Sequence, residues 1–451
     1  MPGRFQNFRE VLKPFFQPGL FLNMLVVGSV VFLVKIVAFF KETLVGSTFG
    51  LSEFLDTYFI ALLIPSFVQT VFIGALKQLF VPNYIYEISS TRKIREFQSF
   101  TVLCLTALAA FISLCVLVLV YFFLEEFFAG HTASYYDLVR KQFYLVLPCM
   151  LLWAYSGFLS SLLEIENKFF LSTISGIFTP MLTILFVLFM RDTLGDYVLA
   201  YGLLCGTGVE FTFLLIIALR RKMLSFGPIR LNDNMRTMLR QYPAKLTSGF
   251  LTGVNNFVDQ FFASQMVVGS LATIKYGIKI PTFVVGIMVL AIGNVLLPHF
   301  SRLMARDLRK ARELLKKILL LVFGLGAFVC TILILLSYDI IALVFERGAF
   351  DAEDTSVVGA LQQIALIYVP FYLCTLVCVK YLTAANRNAF MAWVSFWNML
   401  LNLALNYILI KLYGIYGLVL ATTIVYIICS FIYVTYSLKG KFNHTTPAAS
   451  N

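Results

Sequence analysis

Residues 64–68 read Ile64-Pro65-Ser66-Phe67-Val68, and 216 positions later the chain reads Ile280-Pro281-Thr282-Phe283-Val284. In both places a second proline follows 17 residues after the first, at Pro82 and Pro298. Pro148 has a counterpart of the same kind in Pro370. The two motifs lie in long apolar runs, 56–81 and 270–297. Ten more runs of that kind flank them: 20–41, 99–124, 142–163, 169–190, 197–219, 241–268, 318–338, 360–384, 389–410 and 415–437. Each is long enough as a helix to cross about 30 Å of hydrocarbon. Strands of a membrane barrel are about ten residues with strict alternation, and that pattern is absent.

The repeat turns twelve spans into two copies of one six-helix unit. Six is even, so the copies share topology and are related by an axis along the membrane normal. The expected architecture is an all-α polytopic membrane protein with an N-terminal lobe at 1–219, an inter-lobe linker at 220–240 and a C-terminal lobe at 241–451. The two six-helix bundles are expected to form a V around a central cavity. The linker opens on Arg220-Arg221-Lys222 and holds Gly227-Pro228 and Asn232-Asp233-Asn234, which reads as an amphipathic surface segment.

Composition agrees. The chain is 60% hydrophobic and 13% charged, against about a quarter charged for a soluble domain. That excludes a soluble enzyme and a disordered chain. The net charge of +12 suggests nucleic-acid binding until the charges are placed. Of 35 Lys and Arg, 23 fall in segments on the side of the N-terminus and 6 on the other. Basic residues gather in cytoplasmic segments, so both termini are expected inside. The opposite loops are acidic, as at Glu125-Glu126 and Asp351-Ala352-Glu353-Asp354. The eight cysteines lie in apolar runs without a CxxC pair and read as buried free thiols. The polar, basic start, Met1 to Gly19, does not read as a cleavable signal peptide.

The remaining six basic residues lie inside spans and are all lysines: Lys35, Lys77, Lys245, Lys275, Lys279 and Lys380. Lys77, Lys245 and Lys380 are near span ends and can snorkel to water. Lys35 and Lys279 are deeper, and Lys275 is one turn from Lys279 on the same face. An ionisable group inside a membrane marks a pathway or a binding site. Lys41, at the outer end of span 1, either belongs to such a site or is an interfacial residue paired with Glu42. Two acids, Asp259 and Glu210, are expected inside spans, so the interior has a positive excess. That sign suits an anionic phosphate or pyrophosphate ligand, which lysine binds as a point charge. A cavity selecting drug cations needs the opposite sign.

Asn398, Asn402 and Asn406 form one polar stripe on span 11. They serve either interhelical hydrogen bonding or a small-cation site. In the second case Asp259 supplies the charge, Asn402 and Asn406 amide oxygens, and Thr422 a hydroxyl, for a sodium ion or a proton. No metal site of the His/Cys type and no cofactor is expected. Pro65, Pro148, Pro281 and Pro370 break backbone hydrogen bonds inside spans and read as kinks. HExxH, GxSxG and P-loop patterns are missing, and His131, His299 and His444 are scattered. A membrane-embedded glycosyl- or acyltransferase is therefore disfavoured.

Three segments resemble one family. Glu42-Thr43-Leu44-Val45, with Phe49-Gly50, Asp56, Ile64-Pro65, Gly74-Ala75 and Phe80-Val81-Pro82, resembles the opening of the MurJ (MviN) lipid II flippases. The loop from Leu343 through Phe345-Glu346-Arg347-Gly348-Ala349-Phe350-Asp351 to Thr355 is similar to that family's loop between spans 9 and 10. Span 8, from Tyr276 and Lys279 to Leu297-Pro298, is similar too. The run Asn402 to Asn406 and Gly417 to Thr422 is shared across the multidrug/oligosaccharidyl-lipid/polysaccharide exporter superfamily. The resemblance implies a flippase that moves an undecaprenyl-pyrophosphate-linked sugar, lipid II foremost, to the outer leaflet of the bacterial inner membrane by alternating access. It puts the family's span 1 arginines on Lys35 and Lys41, its span 8 arginine on Lys279, and its cation site on Asp259, Asn402, Asn406 and Thr422.

Lys35, Lys41, Lys275, Lys279, Gln69 and Asp56 are the candidate headgroup contacts. The expected partners are the anionic lipid-linked oligosaccharide and membrane lipid, and no nucleic acid. The sequence departs from the family where Gln69-Thr70 replace basic residues, and twelve spans are expected where many members carry fourteen. Those departures keep a flippase for O-antigen, capsule or exopolysaccharide units as the alternative, with a cation-coupled drug exporter third.

Overall fold

The structure, a computed structural model, describes residues 18–91 and 93–440. The N-terminal tail, Arg92 and His444 lie outside the described residues. Among the described residues every regular element is helical. In order they are α1 (Pro18–Phe49), α2 (Glu53–Ser90), α3 (Ile94–Phe127), α4 (Ala133–Ile165), α5 (Phe169–Phe189), α6 (Val198–Arg220) and α7 (Asp233–Ser264), then α8 (Ser270–Gly277), α9 (Lys279–Arg306), α10 (Leu308–Leu335), α11 (Ser337–Phe345), α12 (Ala352–Ala384), α13 (Asn388–Tyr413) and α14 (Ile415–Lys439). In hydrocarbon a single segment satisfies its own backbone only as a helix, and every expected run is helical, 270–297 as the two helices α8 and α9.

Among the described residues nine helices are long and apolar enough to cross a membrane, and α8 with the start of α9, bent by 41°, adds a tenth. The other two expected spans correspond to α1 and α7, each 32 residues long. α7 owes its lower hydropathy to Asp233, Arg236, Arg240, Lys245 and Asp259.

Two stretches read as loops are partly helical. The basic segment 299–317 is broken only at Asp307, whose carboxylate caps α10 by accepting from Arg309 N (2.9 Å) and Lys310 N (3.1 Å). The Lys310 backbone bond and then that of Arg309 hold this carboxyl below the usual range. Asp351 and Asp354 close a capping box on α12, with Asp351 accepting from Glu353 N and Asp354 N at 2.9 Å each. Within 220–240 the chain is irregular from Met223 to Asn232 and enters α7 at Asp233. The irregular part is tied to α3: Gln98 donates to Met223 O (2.9 Å) and accepts from Ser225 N (2.7 Å).

The repeated motif folds differently in its two copies. Pro65 lies inside a continuous α2, and one turn later the helix widens into a π turn at Gln69–Ile73. Pro281 is the third residue of α9, directly after the break at Ile278. A proline lacks the N–H that a helix interior needs but fits a first turn. One copy absorbs the missing bond by widening, and the other restarts the helix. All eight cysteines are free; five are buried as expected, Cys104 and Cys205 are half-buried and Cys115 is exposed.

The chain packs into two compact units. The first takes the chain to Leu44, Ile64–Phe122 and Leu138–Leu246. The second takes Val45–Leu63, Phe123–Asp137 and the chain from Thr247. The first is centred on Phe80, with Phe158 at 5.1 Å and Phe97 at 6.1 Å between ring centroids, and on Leu163, Leu214 and Met235. The second is centred on Phe300 and Tyr381, edge to face at 5.3 Å, with Leu315, Val377 and Cys378.

Inside the second unit the loop 345–350 forms a tight turn on residues 46–50. Ala349 N donates to Ser47 O at 2.9 Å. Gly348 has φ +63°, and a Cβ there would come within 2.5 Å of Ser47 O. Phe345 and Phe350 are buried against Tyr276. Gly348→Ala is therefore expected to lower stability by at least about 1 kcal/mol, read as a drop in the melting temperature of the purified protein.

Candidate functional site

Four charged groups organise the second unit. Asp56, 2% exposed at the start of α2, accepts from Gly269 N at 2.6 Å and Ala272 N at 2.8 Å. Both donors belong to the opening of α8, where the helix dipole favours a carboxylate. Gly269 is left-handed at φ +92°, and a Cβ there would lie 2.7 Å from Leu51 O. The end of α7, just before it in the chain, is held by His131, whose Nε2 contacts Ser264 O at 2.9 Å and whose ring stacks on buried Tyr135 at 4.1 Å. Gln265 adds a bond to Phe127 O. Asp56 was expected to meet the headgroup. The structure instead buries it as a helix cap, because the unpaired N–H groups at a helix start outcompete other partners for a carboxylate.

Lys275 lies on the last turn of α8, with its ammonium 4.0 Å above the Phe59 ring. Lys279 is the first residue of α9, past the 41° break, and is half-buried. The two lysines therefore flank a helix interruption, where freed backbone groups and cationic side chains occur together.

Asp259, midway down the second half of α7, gathers three donors. Asn402 Nδ2 and Asn406 Nδ2 donate to its Oδ1 at 3.1 and 2.9 Å, and Thr422 Oγ1 donates to its Oδ2 at 2.8 Å. Asn406 also donates to Asn402 Oδ1 at 3.2 Å. Asn402 and Asn406 are buried, at 1% and 0% exposure. Asn406 Oδ1 is buried without a donor. An acceptor left over beside a carboxylate makes the cluster rich in oxygen, the donor set that hard monovalent cations take. Tyr368 and Tyr426, with ring centroids 4.8 Å apart, stand beside it.

In the first unit the candidates are spread out. Lys35 is exposed on the face of α1 that carries Phe32 and Ile36. Lys41 pairs with Glu42 at 2.7 Å. Gln69 opens the π turn of α2 and is half-buried. Lys77 is paired with Glu164 at 3.4 Å, and Glu164 also accepts from Ser160 (3.2 Å) and Ser172 (3.0 Å). Glu210 accepts from Thr179 at 3.1 Å.

The second unit thus brings together Asp259, Asn402, Asn406 and Thr422, and separately Lys275 and Lys279. Sequence reasoning missed Glu164 because it fell one residue past the drawn edge of span 4. It passed over His131 because a lone histidine in a loop carries no spacing signal.

A family model described as lipid II flippase MurJ matches residues 45–448. The probable lipid II flippase MurJ of Aquifex aeolicus (strain VF5) is 27% identical over 367 residues, 79% of this chain and 70% of that protein. The protein of the same description from Rhizobium tropici is 27% identical over 368 residues, 78% of this chain and 68% of its own length. Among solved structures, lipid II flippase MurJ in an inward closed conformation is similar with a TM-score of 0.77 at 24% identity, covering 92% of this chain and 87% of that one. An inward-facing multidrug resistance MATE family transporter is similar at 0.74 and 13% identity, covering 92% and 97%. At these identities the structural likeness is one of fold, and it agrees with the all-α polytopic class expected from the sequence.

Removing the Asp56 carboxylate leaves two backbone donors at the start of α8 without an acceptor. Asp56→Ala is expected to cost about 1–2 kcal/mol, measured by thermal unfolding in detergent, with Asp56→Asn in between.

Proposed function

The chain belongs to the lipid II flippase MurJ family, and from that membership we infer that it carries lipid II, a lipid-linked pyrophosphate oligosaccharide, across the membrane. It is a multi-span membrane transporter and not an enzyme. The observation that carries the reading on to a mechanism is the interrupted eighth span with Lys275 and Lys279 on either side of the break.

In this mechanism the pyrophosphate leaves the headgroup region because ammonium groups replace the water around its oxygens. Lys275 and Lys279 of the second unit supply those charges, and Lys35 and Lys41 of the first are further candidates for the same role. Gln69 adds a neutral donor. The sugar crosses in water and the polyprenyl tail stays in the bilayer, so the costly step is moving the charged headgroup. Alternating exposure to the two sides completes transport. With both termini in the cytoplasm, the headgroup's negative charge moves outward down an inside-negative potential. That contributes about 2.3 kcal/mol per unit charge per 100 mV.

The Asp259 cluster is the proposed coupling site. Asp259 carries the charge, Thr422 and the two asparagines contribute oxygens, and the unmatched Asn406 Oδ1 supports a sodium ion there over a fully satisfied polar network. Proton exchange on Asp259 is the other chemistry the same residues allow. A cation returning inward adds to the same driving force.

Lys35→Ala and Lys279→Ala are expected to abolish rescue of a strain depleted of its lipid II flippase, with lipid II accumulating on the inner leaflet, while both proteins remain folded in the membrane. Rescue by both variants would count against the lysine mechanism. The wild-type protein is expected to melt at a higher temperature in sodium chloride than in choline chloride, and Asp259→Asn is expected to remove that difference. A melting temperature that follows pH but ignores sodium assigns the cluster to protons.

A further inference from the structure

The outer face of α14 changes character along its length. Phe431 (61% exposed) and Ile432 (43% exposed) are followed by exposed Thr435 and then by exposed Lys439. These positions lie on one stripe of the helix, at spacings of three or four residues. From Phe431 to Lys439 the stripe covers about 12 Å.

Beside it the N-terminal turn of α13 contributes Phe390, whose ring stacks on Tyr436 at 3.6 Å between centroids and 10° between planes. Together Phe390, Phe431, Ile432, Thr435, Tyr436, Lys439 and Gly440 enclose an open cavity of about 590 Å³. A second cation stands at its polar end, because Arg312 Nη2 donates to Gly440 O at 2.5 Å. The same end of the unit carries the basic first turns of α10, with Arg309, Lys310, Lys316 and Lys317.

We propose that this cavity is a specific site for an anionic phospholipid. One acyl chain lies on Phe431 and Ile432 against the Phe390–Tyr436 pair. The glycerol region meets the Thr435 hydroxyl, and the phosphate meets the Lys439 ammonium with Arg312 behind it. A bare lysine at a helix end would only snorkel to water. The ordered sequence of apolar, hydroxyl and cationic groups along one stripe matches the order of groups along a lipid, and the clustered cations select negative charge. The occupant is a bilayer phospholipid, and the site does not depend on which headgroup the transporter moves.

Trp393, one turn from Phe390 and 62% exposed, makes the site readable by fluorescence. The full chain with Trp153→Phe and Trp397→Phe keeps Trp393 as its one tryptophan. In vesicles of phosphatidylcholine containing brominated phosphatidylglycerol, quenching is expected to show about fivefold enrichment of the anionic lipid over brominated phosphatidylcholine. Lys439→Ala, at an exposed helix end, should remove the enrichment while leaving quenching by phosphatidylcholine unchanged. Phe431→Ala should weaken quenching by both lipids. Equal quenching by the two lipids, or enrichment that survives Lys439→Ala, would overturn the proposal. So would displacement of phosphatidylglycerol by an equal mole fraction of undecaprenyl phosphate, which assigns the cavity to a polyprenyl tail.

Discussion

A carboxylate placed among apolar helices needs donors in fixed positions, and the two best supplied ones organise the second unit. Asp56 meets the N–H groups that open α8, and Asp259 meets two amides and a hydroxyl from α13 and α14. A hydrogen bond to an ionised group is stronger than a neutral one, and leaving such a group unpaired costs several kcal/mol. Each carboxylate therefore fixes the helices that answer it. The two differ in what they leave over. Asp56 meets backbone donors that have no other use, which makes it a structural clamp. Asp259 sits beside a buried acceptor with no donor of its own, which is what carries the proposal of a cation there.

The clamp matters because of which segments it joins. Asp56 comes from the first sequence repeat, and α8 from the second. The same is true of Ser47 with Ala349, His131 with Ser264, and Gly46 with Phe345 and Tyr276. In the alternating-exposure mechanism proposed above, bonds between the two repeats are the ones that would have to break, and short, directional hydrogen bonds to backbone atoms suit that task. They hold a defined state, and water can replace them once they are exposed.

The repeated Ile-Pro motif shows how one local instruction gives two structures. A proline inside a span removes one backbone bond in either copy. In α2 the helix widens by one π turn and continues. In the eighth span it stops at Ile278 and restarts with the proline in the first turn, bent by 41°. Lysines flank the restart, whereas Gln69 and Thr70 occupy the π turn. The two halves share a scaffold and differ in the chemistry offered at its breaks.

By itself the sequence determined the class of fold, the twelve runs that become helices, the twofold repeat and the side chains that meet at Asp259. Those features are local or periodic: apolar length forces helix in hydrocarbon, and the spacing of Asn402 and Asn406 puts them on one face. Helix ends were less legible, since capping carboxylates extended α10 and α12 into segments read as loops. Tertiary structure alone decided that Asp56 caps a helix start more than 200 residues away, that Lys77 is answered by Glu164, and that the ends of α13 and α14 enclose a cavity graded from apolar to cationic. Each of these depends on which helix ends meet in space, and no periodicity along a single chain encodes that meeting.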